Sequence, residues 1–211
     1  VEPCLLLSLE RRASYGTSTT VLRRYLFGMP EELVRFCGSH QVKLGKLAAA
    51  FATDTRGASG LPELLLAGAE HGSATLHVRG PRGIVDYVHA VTQSLCNTRG
   101  MKVLPAEAKP SEFLQQALCY EDDHLKVFAL DPRQRRSSAD EAGEPPSKRR
   151  RSHPPVAGAV GYRVELASCA AGLGVSFVVL PPGSAAWHPV SHTEDASAER
   201  LVFHMGARPK D

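Results

Sequence analysis

The fold of this chain is decided by residues 46–66, which read KLAAAFATDTRGASGLPELLL. Lys46 to Thr53 is a short and almost wholly apolar run, and such a run predicts a buried strand. After a polar turn, Gly60-Leu61-Pro62 opens a segment, Leu61 to Ala69, whose early proline and following leucines predict a helix. The three consecutive leucines from Leu64 to Leu66 are predicted to lie in the core. A buried strand followed by a helix is the repeating unit of a layered α/β fold.

The segments on either side continue this alternation. Further strands are predicted at Cys4 to Leu9, Tyr25 to Phe27, Ala74 to Arg79, Met101 to Leu104, Leu125 to Leu130, Gly161 to Ala167, Val175 to Leu180 and Arg200 to His204. Further helices are predicted at Glu31 to Ser39 and after Gly80-Pro81, where Ile84, Val85, Val88, Val91 and Leu95 form one apolar stripe. Ala13 to Thr20 is small and polar and is predicted to be a hairpin loop. The whole pattern predicts an α/β fold.

Composition limits the class of protein. The 211 residues and the 43% hydrophobic content fit one compact domain, or a fragment of a larger one, with a buried core. No apolar run approaches the roughly 20 residues that span a bilayer, and the start does not have the order of a signal peptide, so no membrane partner is expected. The five cysteines are scattered and lack C-x-x-C spacing, which is typical of reduced thiols in an intracellular protein.

One stretch of the chain differs from the rest in its net charge. Residues 132–160 hold seven basic and three acidic residues, a net charge of +4, which leaves −1 for the rest of a chain whose total is +3. With almost no apolar residues, this stretch is predicted to be a disordered insert between a first block, 1–131, and closing strands of the same domain, 161–211. Within it, Lys148, Arg149, Arg150 and Arg151 are candidates for a nuclear import signal or an RNA contact, against a simple solvated tract. The rest of the chain has no net positive charge, although this does not exclude a local basic face there.

Several motifs resemble tRNase Z (ribonuclease Z), an enzyme family of the metallo-β-lactamase superfamily. The motifs are Arg24 to Cys37 (RYLFGMPEELVRFC), His40 to Leu47 (HQVKLGKL), Phe51-Ala52-Thr53, Gly60-Leu61-Pro62, Gly80-Pro81 and Leu201 to Met205 (LVFHM). Their order follows the family, and the last resembles the amino half of long-form enzymes. The resemblance therefore implies a metallo-β-lactamase-like αββα sandwich, as a degenerate half whose first strand would precede Val1.

The metal motif of that superfamily is altered in this chain. Active members place His-x-His-x-Asp-His after a threonine, and these ligands hold the two metal ions that activate water. The corresponding positions here are Asp54, Arg56, Ala58 and Ser59, so no imidazole remains and Arg56 carries a fixed positive charge where a cation would lie. We therefore expect no catalytic residue and no metal in this chain, and no cleavage by the chain alone.

The resemblance implies a non-catalytic amino-terminal half of a zinc-dependent endoribonuclease that processes tRNA 3′ ends. Its expected partners are a carboxyl-terminal catalytic half, which would hold the zinc, and precursor tRNA, in the nucleus or the mitochondrion. The tRNA-binding arm of long forms is expected to be shortened, displaced or absent, because Ser168 to Gly174 alone separates two predicted strands near its place. The alternative is a catalytically dead module of the same fold that serves as a structural or interaction subunit of an RNA-processing assembly.

Overall fold

The computed structural model describes residues 4–12, 19–94, 98, 100–109, 116–131, 159–166, 176–179 and 199–206. The strands in this part of the chain are β1 (Cys4–Arg12), β2 (Thr19–Phe27), β3 (Leu47–Phe51), β4 (Thr75–Gly80), β5 (Lys102–Glu107), β6 (Gln116–Glu121), β7 (Leu125–Leu130), β8 (Gly161–Leu166), β9 (Ser176–Val179) and β10 (Glu199–Gly206). The helices are α1 (Leu33–Ser39), α2 (Leu61–Glu70) and α3 (Ile84–Ser94), and a 3-10 turn covers Arg56–Ala58. None of the helices in these residues is long and apolar enough to cross a membrane.

The chain forms two compact units, Val1–Glu107 with His192–Asp211, and Ala108–Ser191. The first contains a six-stranded sheet in the order β10-β1-β2-β3-β4-β5. In this sheet β1 is antiparallel to β2 and β10, whereas β2, β3, β4 and β5 are parallel neighbours. Neighbouring parallel strands need a crossover connection, and α1, α2 and α3 supply the three crossovers. Because such connections are right-handed, all three helices lie on the same face of the sheet.

The core of the first unit lies between these helices and that face. Leu26, Ala50 and Val78 project from successive strands into one cluster with residues from all three helices, among them Leu33, Leu61, Leu64, Leu65, Ile84, Val88 and Val91. The opposite face carries Leu5, Leu7, Tyr25, Phe27, Ala49 and Phe51, and these side chains are buried as well. A sheet that is buried on both faces explains why LAAAF in β3 lacks the alternation of a half-exposed strand.

The second unit contains a four-stranded antiparallel sheet in the order β6-β7-β8-β9. It therefore joins β6 and β7, from the predicted first block, to β8 and β9, from the predicted closing strands. The alternating burial of β7 places Leu125, Val127 and Ala129 on one face. Ala159 and Val160, at the end of the predicted insert, are buried. Residues 132–158 of that insert, which include Lys148 to Arg151, lie outside the described residues.

Three expectations need correction. The three leucines of α2 are not all core, because Leu66 is 44% exposed while Leu64 and Leu65 are fully buried. Successive residues of a helix are about 100° apart, so three in a row cannot share one face. The polar loop predicted to reach Thr20 ends earlier, since β2 begins at Thr19. The strand β6 was not predicted, and its alternation is interrupted by a register shift between Leu118 and Tyr120.

Candidate functional site

The altered metal motif lies at the carboxyl ends of the parallel strands. Chain segments leave β2, β3 and β4 at this edge, as Gly28 to Pro30, Ala52 to Gly60 and Pro81 to Gly83. Ligand sites of open α/β sheets form at this edge, because the loops from neighbouring strands meet there. Asp54, Arg56, Ala58 and Ser59 all belong to the segment that follows β3.

The four motif positions differ in burial and in their contacts. The Asp54 side chain is buried, and its Oδ1 accepts a hydrogen bond from the backbone N–H of Gly57 at 2.6 Å. Arg56 is exposed and begins the 3-10 turn, whereas Ala58 is 1% exposed and belongs to the helix-face core. Ser59 is half-buried. One carboxylate is thus used to close a turn, one position is filled by a core methyl group, and the remaining two carry no metal-ligating side chain.

Backbone hydrogen bonds hold this turn against the end of β2. The N–H of Met29 donates to the carbonyl of Gly57 at 2.6 Å, and the N–H of Gly60 donates to the carbonyl of Met29 at 2.7 Å. The N–H of Gly28 donates to the carbonyl of Phe51 at 2.8 Å, and the rings of Phe27 and Phe51 stack with centroids 4.7 Å apart. These bonds join the turn after β3 to the end of β2.

A carboxylate from β5 contributes a further contact at the same edge. Oε1 of Glu107 accepts a hydrogen bond from the backbone N–H of Gly83 at 2.9 Å, just before α3 begins. A carboxylate at a helix amino terminus is stabilised by the free N–H groups and the helix dipole. Sequence reasoning missed Glu107, since no local pattern connects residues 24 positions apart.

Zinc would need several ligand side chains at one place, and the Cys37 thiol would need a lowered pKa to act as a nucleophile. No group of three or more His, Cys, Asp or Glu side chains in the described ranges could hold a metal ion. The residues at the motif positions therefore do not fit a zinc site. Burial raises the pKa of the Cys37 thiol to about 11, the nearby Cys4 adds to the rise, and Arg24 partly opposes it. Cys37 accordingly stays a neutral thiol near neutral pH, which suits a core residue rather than a nucleophile.

Comparison with known proteins identifies the fold through solved structures. No protein-family model matches the chain, and no curated protein matches it in sequence. The crystal structure of a long-form RNase Z from yeast aligns with 83% of this chain at 13% identity and a TM-score of 0.52. The crystal structure of human tRNase Z, short form, aligns with 82% at 14% identity and a TM-score of 0.50. A metallo-β-lactamase fold protein from Bacillus subtilis aligns with 83% at 10% identity and a TM-score of 0.42.

This chain shares the α/β fold of the yeast and human RNase Z structures. The predicted fold class and the predicted structural likeness to tRNase Z are therefore confirmed. The confirmation rests on fold similarity at low sequence identity. The alignment covers 28% of the yeast long-form chain and 68% of the human short-form chain. The chain thus spans less than a third of the length of the yeast protein that it resembles.

Replacing Asp54 with alanine tests whether this carboxylate has a structural role. The change leaves the buried N–H of Gly57 without its acceptor, and we expect a loss of about 1–3 kcal/mol in the free energy of unfolding. Asp54→Asn keeps an oxygen acceptor at the same place and should lose clearly less. Urea unfolding of the two variants and the parent chain measures this. Equal losses in both variants would show that the charge, and not the hydrogen bond, is needed.

Proposed function

We propose that this chain is the non-catalytic amino-terminal half of a tRNase Z-like endoribonuclease that processes tRNA 3′ ends. The observation that carries the proposal is the use of the motif positions for folding: Asp54 closes a turn through Gly57, and Ala58 fills the core. A hydrolase of this fold can use these positions in this way only if another chain segment supplies the catalytic metals.

In this proposal the catalytic half holds the zinc, which would supply an activated water for hydrolysis of the phosphodiester. The residues of this chain act by shape and contact. Backbone hydrogen bonds join the turn after β3 to the segment from Gly28 to Pro30. This edge of the sheet therefore offers a preformed surface. Precursor tRNA is the proposed substrate of the assembled enzyme. A nuclear or mitochondrial location belongs to the same proposal, with Lys148 to Arg151 as the candidate import signal.

The test combines metal analysis with cleavage. The purified chain should contain no stoichiometric zinc and should not cleave precursor tRNA, because Asp54 is the one ligand-type side chain left at the motif positions. Mixed with the separately produced catalytic half of a long-form tRNase Z, it should form a complex and raise the cleavage rate. Zinc that is bound by this chain and lost in Asp54→Ala, or cleavage by the chain alone, would falsify the proposal. A metal-free chain that neither binds nor stimulates the catalytic half would favour the structural-subunit alternative.

A further inference from the structure

Cationic side chains gather at the edge of the six-stranded sheet opposite to the motif, where β3 begins. In the register of the sheet, Arg24 pairs with Leu47 at the start of β3, and Lys46 immediately precedes that strand. Residues 19–23 of β2 extend beyond β3, and the Nζ of Lys46 donates to the carbonyl of Val21 on this extension at 2.6 Å. Lys43 is exposed in the loop that leads to Lys46. We call Arg24, Lys43 and Lys46 the amino-edge basic face.

This face has little opposing charge. The whole of β1, β2 and the loop from His40 to Lys46 contains one carboxylate, Glu10, within the residues that the structure describes. Two hydrogen bonds fix the side chain of the half-buried Arg24. Its Nε donates to Oγ of Ser8 at 3.2 Å, and its Nη1 donates to the carbonyl of Gly45 at 2.7 Å. A fixed guanidinium beside a loop with exposed lysine side chains is an arrangement that favours phosphate groups.

The loop that carries the lysines is held in a strained conformation. Gln41 and Lys46 have φ angles of 56° and 63°, a region that residues other than glycine rarely adopt. Such strain persists where surrounding contacts determine the conformation. Here the contacts are the bonds from Arg24 to the loop and from Lys46 to β2. The charges of Arg24 and Lys46 are therefore preorganised, which lowers the entropy lost on binding.

An aromatic pair lies at the start of the loop from His40 to Lys46. The rings of Phe36 and His40 lie with centroids 4.3 Å apart, and Phe36 is 36% exposed. His40 follows the last residue of α1 and begins the loop that leads to Lys43 and Lys46. Exposed aromatic faces next to cations are the usual means of binding single-stranded nucleic acid, in which bases stack and phosphates meet the charges.

We propose that the amino-edge basic face and the Phe36–His40 pair bind a single-stranded RNA segment. The phosphates contact Lys43 and Lys46, and a base stacks on Phe36. The proposal rests on the proposed function, because it gives the non-catalytic half an RNA contact of its own. It places that contact at the edge opposite the former metal motif. An anionic membrane would need apolar side chains to insert, and an acidic peptide would not use the aromatic pair, so RNA fits these features better.

The experiment measures binding of labelled oligouridine by fluorescence anisotropy over a salt titration, using the full chain. Every protein carries alanine at Lys148, Arg149, Arg150 and Arg151, so that this tract does not contribute. The double variant Lys43→Ala/Lys46→Ala should weaken binding about tenfold and reduce the slope of log K against log salt by about 1.4, as expected for two lost phosphate contacts. The matched control Arg56→Ala/Arg82→Ala removes two exposed cations from the opposite edge and should leave both values unchanged.

Phe36→Ala separates stacking from charge. It should weaken binding about tenfold without changing the salt slope, because base stacking is not an ionic contact. Phe36→Leu keeps the apolar bulk and should lose a similar amount, which excludes an indirect effect on packing; circular dichroism confirms that each variant is folded. Equal losses in the two double variants, no binding by the tract-free chain, or binding to anionic phospholipid vesicles in place of RNA would overturn the proposal. None of these outcomes depends on the catalytic half, so the proposed function is tested separately.

Discussion

Replacing Gly60 with alanine is expected to lower the free energy of unfolding by at least about 3 kcal/mol, the upper end of the usual cost of overpacking. A Cβ atom at Gly60 would lie 2.1 Å from the carbonyl oxygen of Pro30 and 2.9 Å from that of Met29. Both are backbone atoms, so no side chain can rotate away. The turn cannot shift either, because the N–H of Gly60 donates to the carbonyl of Met29 at 2.7 Å. The φ angle of −81° is ordinary, and the requirement for glycine is therefore one of space.

Chemical denaturation followed by circular dichroism measures this loss, with Gly38→Ala as the control. Gly38 lies within α1, and a Cβ there would meet no atom within 4 Å. Alanine in a helix interior stabilises by roughly 0.5–1 kcal/mol relative to glycine, so the control should become slightly more stable. If Gly60→Ala were as stable as the parent chain, the close approach between the turn after β3 and the end of β2 would be wrong.

Local patterns in the sequence were sufficient for the elements that bury most of their apolar side chains. The predicted strand from Lys46 and the helix from Leu61 are confirmed as β3 and α2, because their apolar runs meet the core directly. The first half of β2 escaped prediction since its residues are mostly exposed or half-buried and belong to an extension beyond β3. A strand of this kind is defined by its pairing partner, and a single sequence does not show the partner.

The candidate site was likewise predictable from the sequence only in part. The resemblance pointed to Asp54, Arg56, Ala58 and Ser59, and the short spacing from Asp54 to Gly57 is typical of an aspartate that closes a turn. The bond from Gly83 to Glu107 and the close contact between Gly60 and Pro30 join residues that are far apart in the chain. The amino-edge basic face likewise depends on the register of β2 and β3. Net charge alone could not reveal it, because cations and carboxylates balance over the rest of the chain.

Leu65→Ala is expected to lower the free energy of unfolding by about 2–5 kcal/mol, whereas Leu66→Ala should change it by no more than about 0.5 kcal/mol. Leu65 is fully buried among the residues of α2, the sheet and the other helices, so the shorter side chain leaves a cavity that the packed core cannot fill. Leu66 is the next residue and is 44% exposed. The two changes alter the same helix by the same atoms, so the difference between them isolates burial from helix propensity. Urea unfolding of both variants measures that difference. A large loss in Leu66→Ala at high protein concentration, absent on dilution, would instead show that this side chain is covered by another copy of the chain.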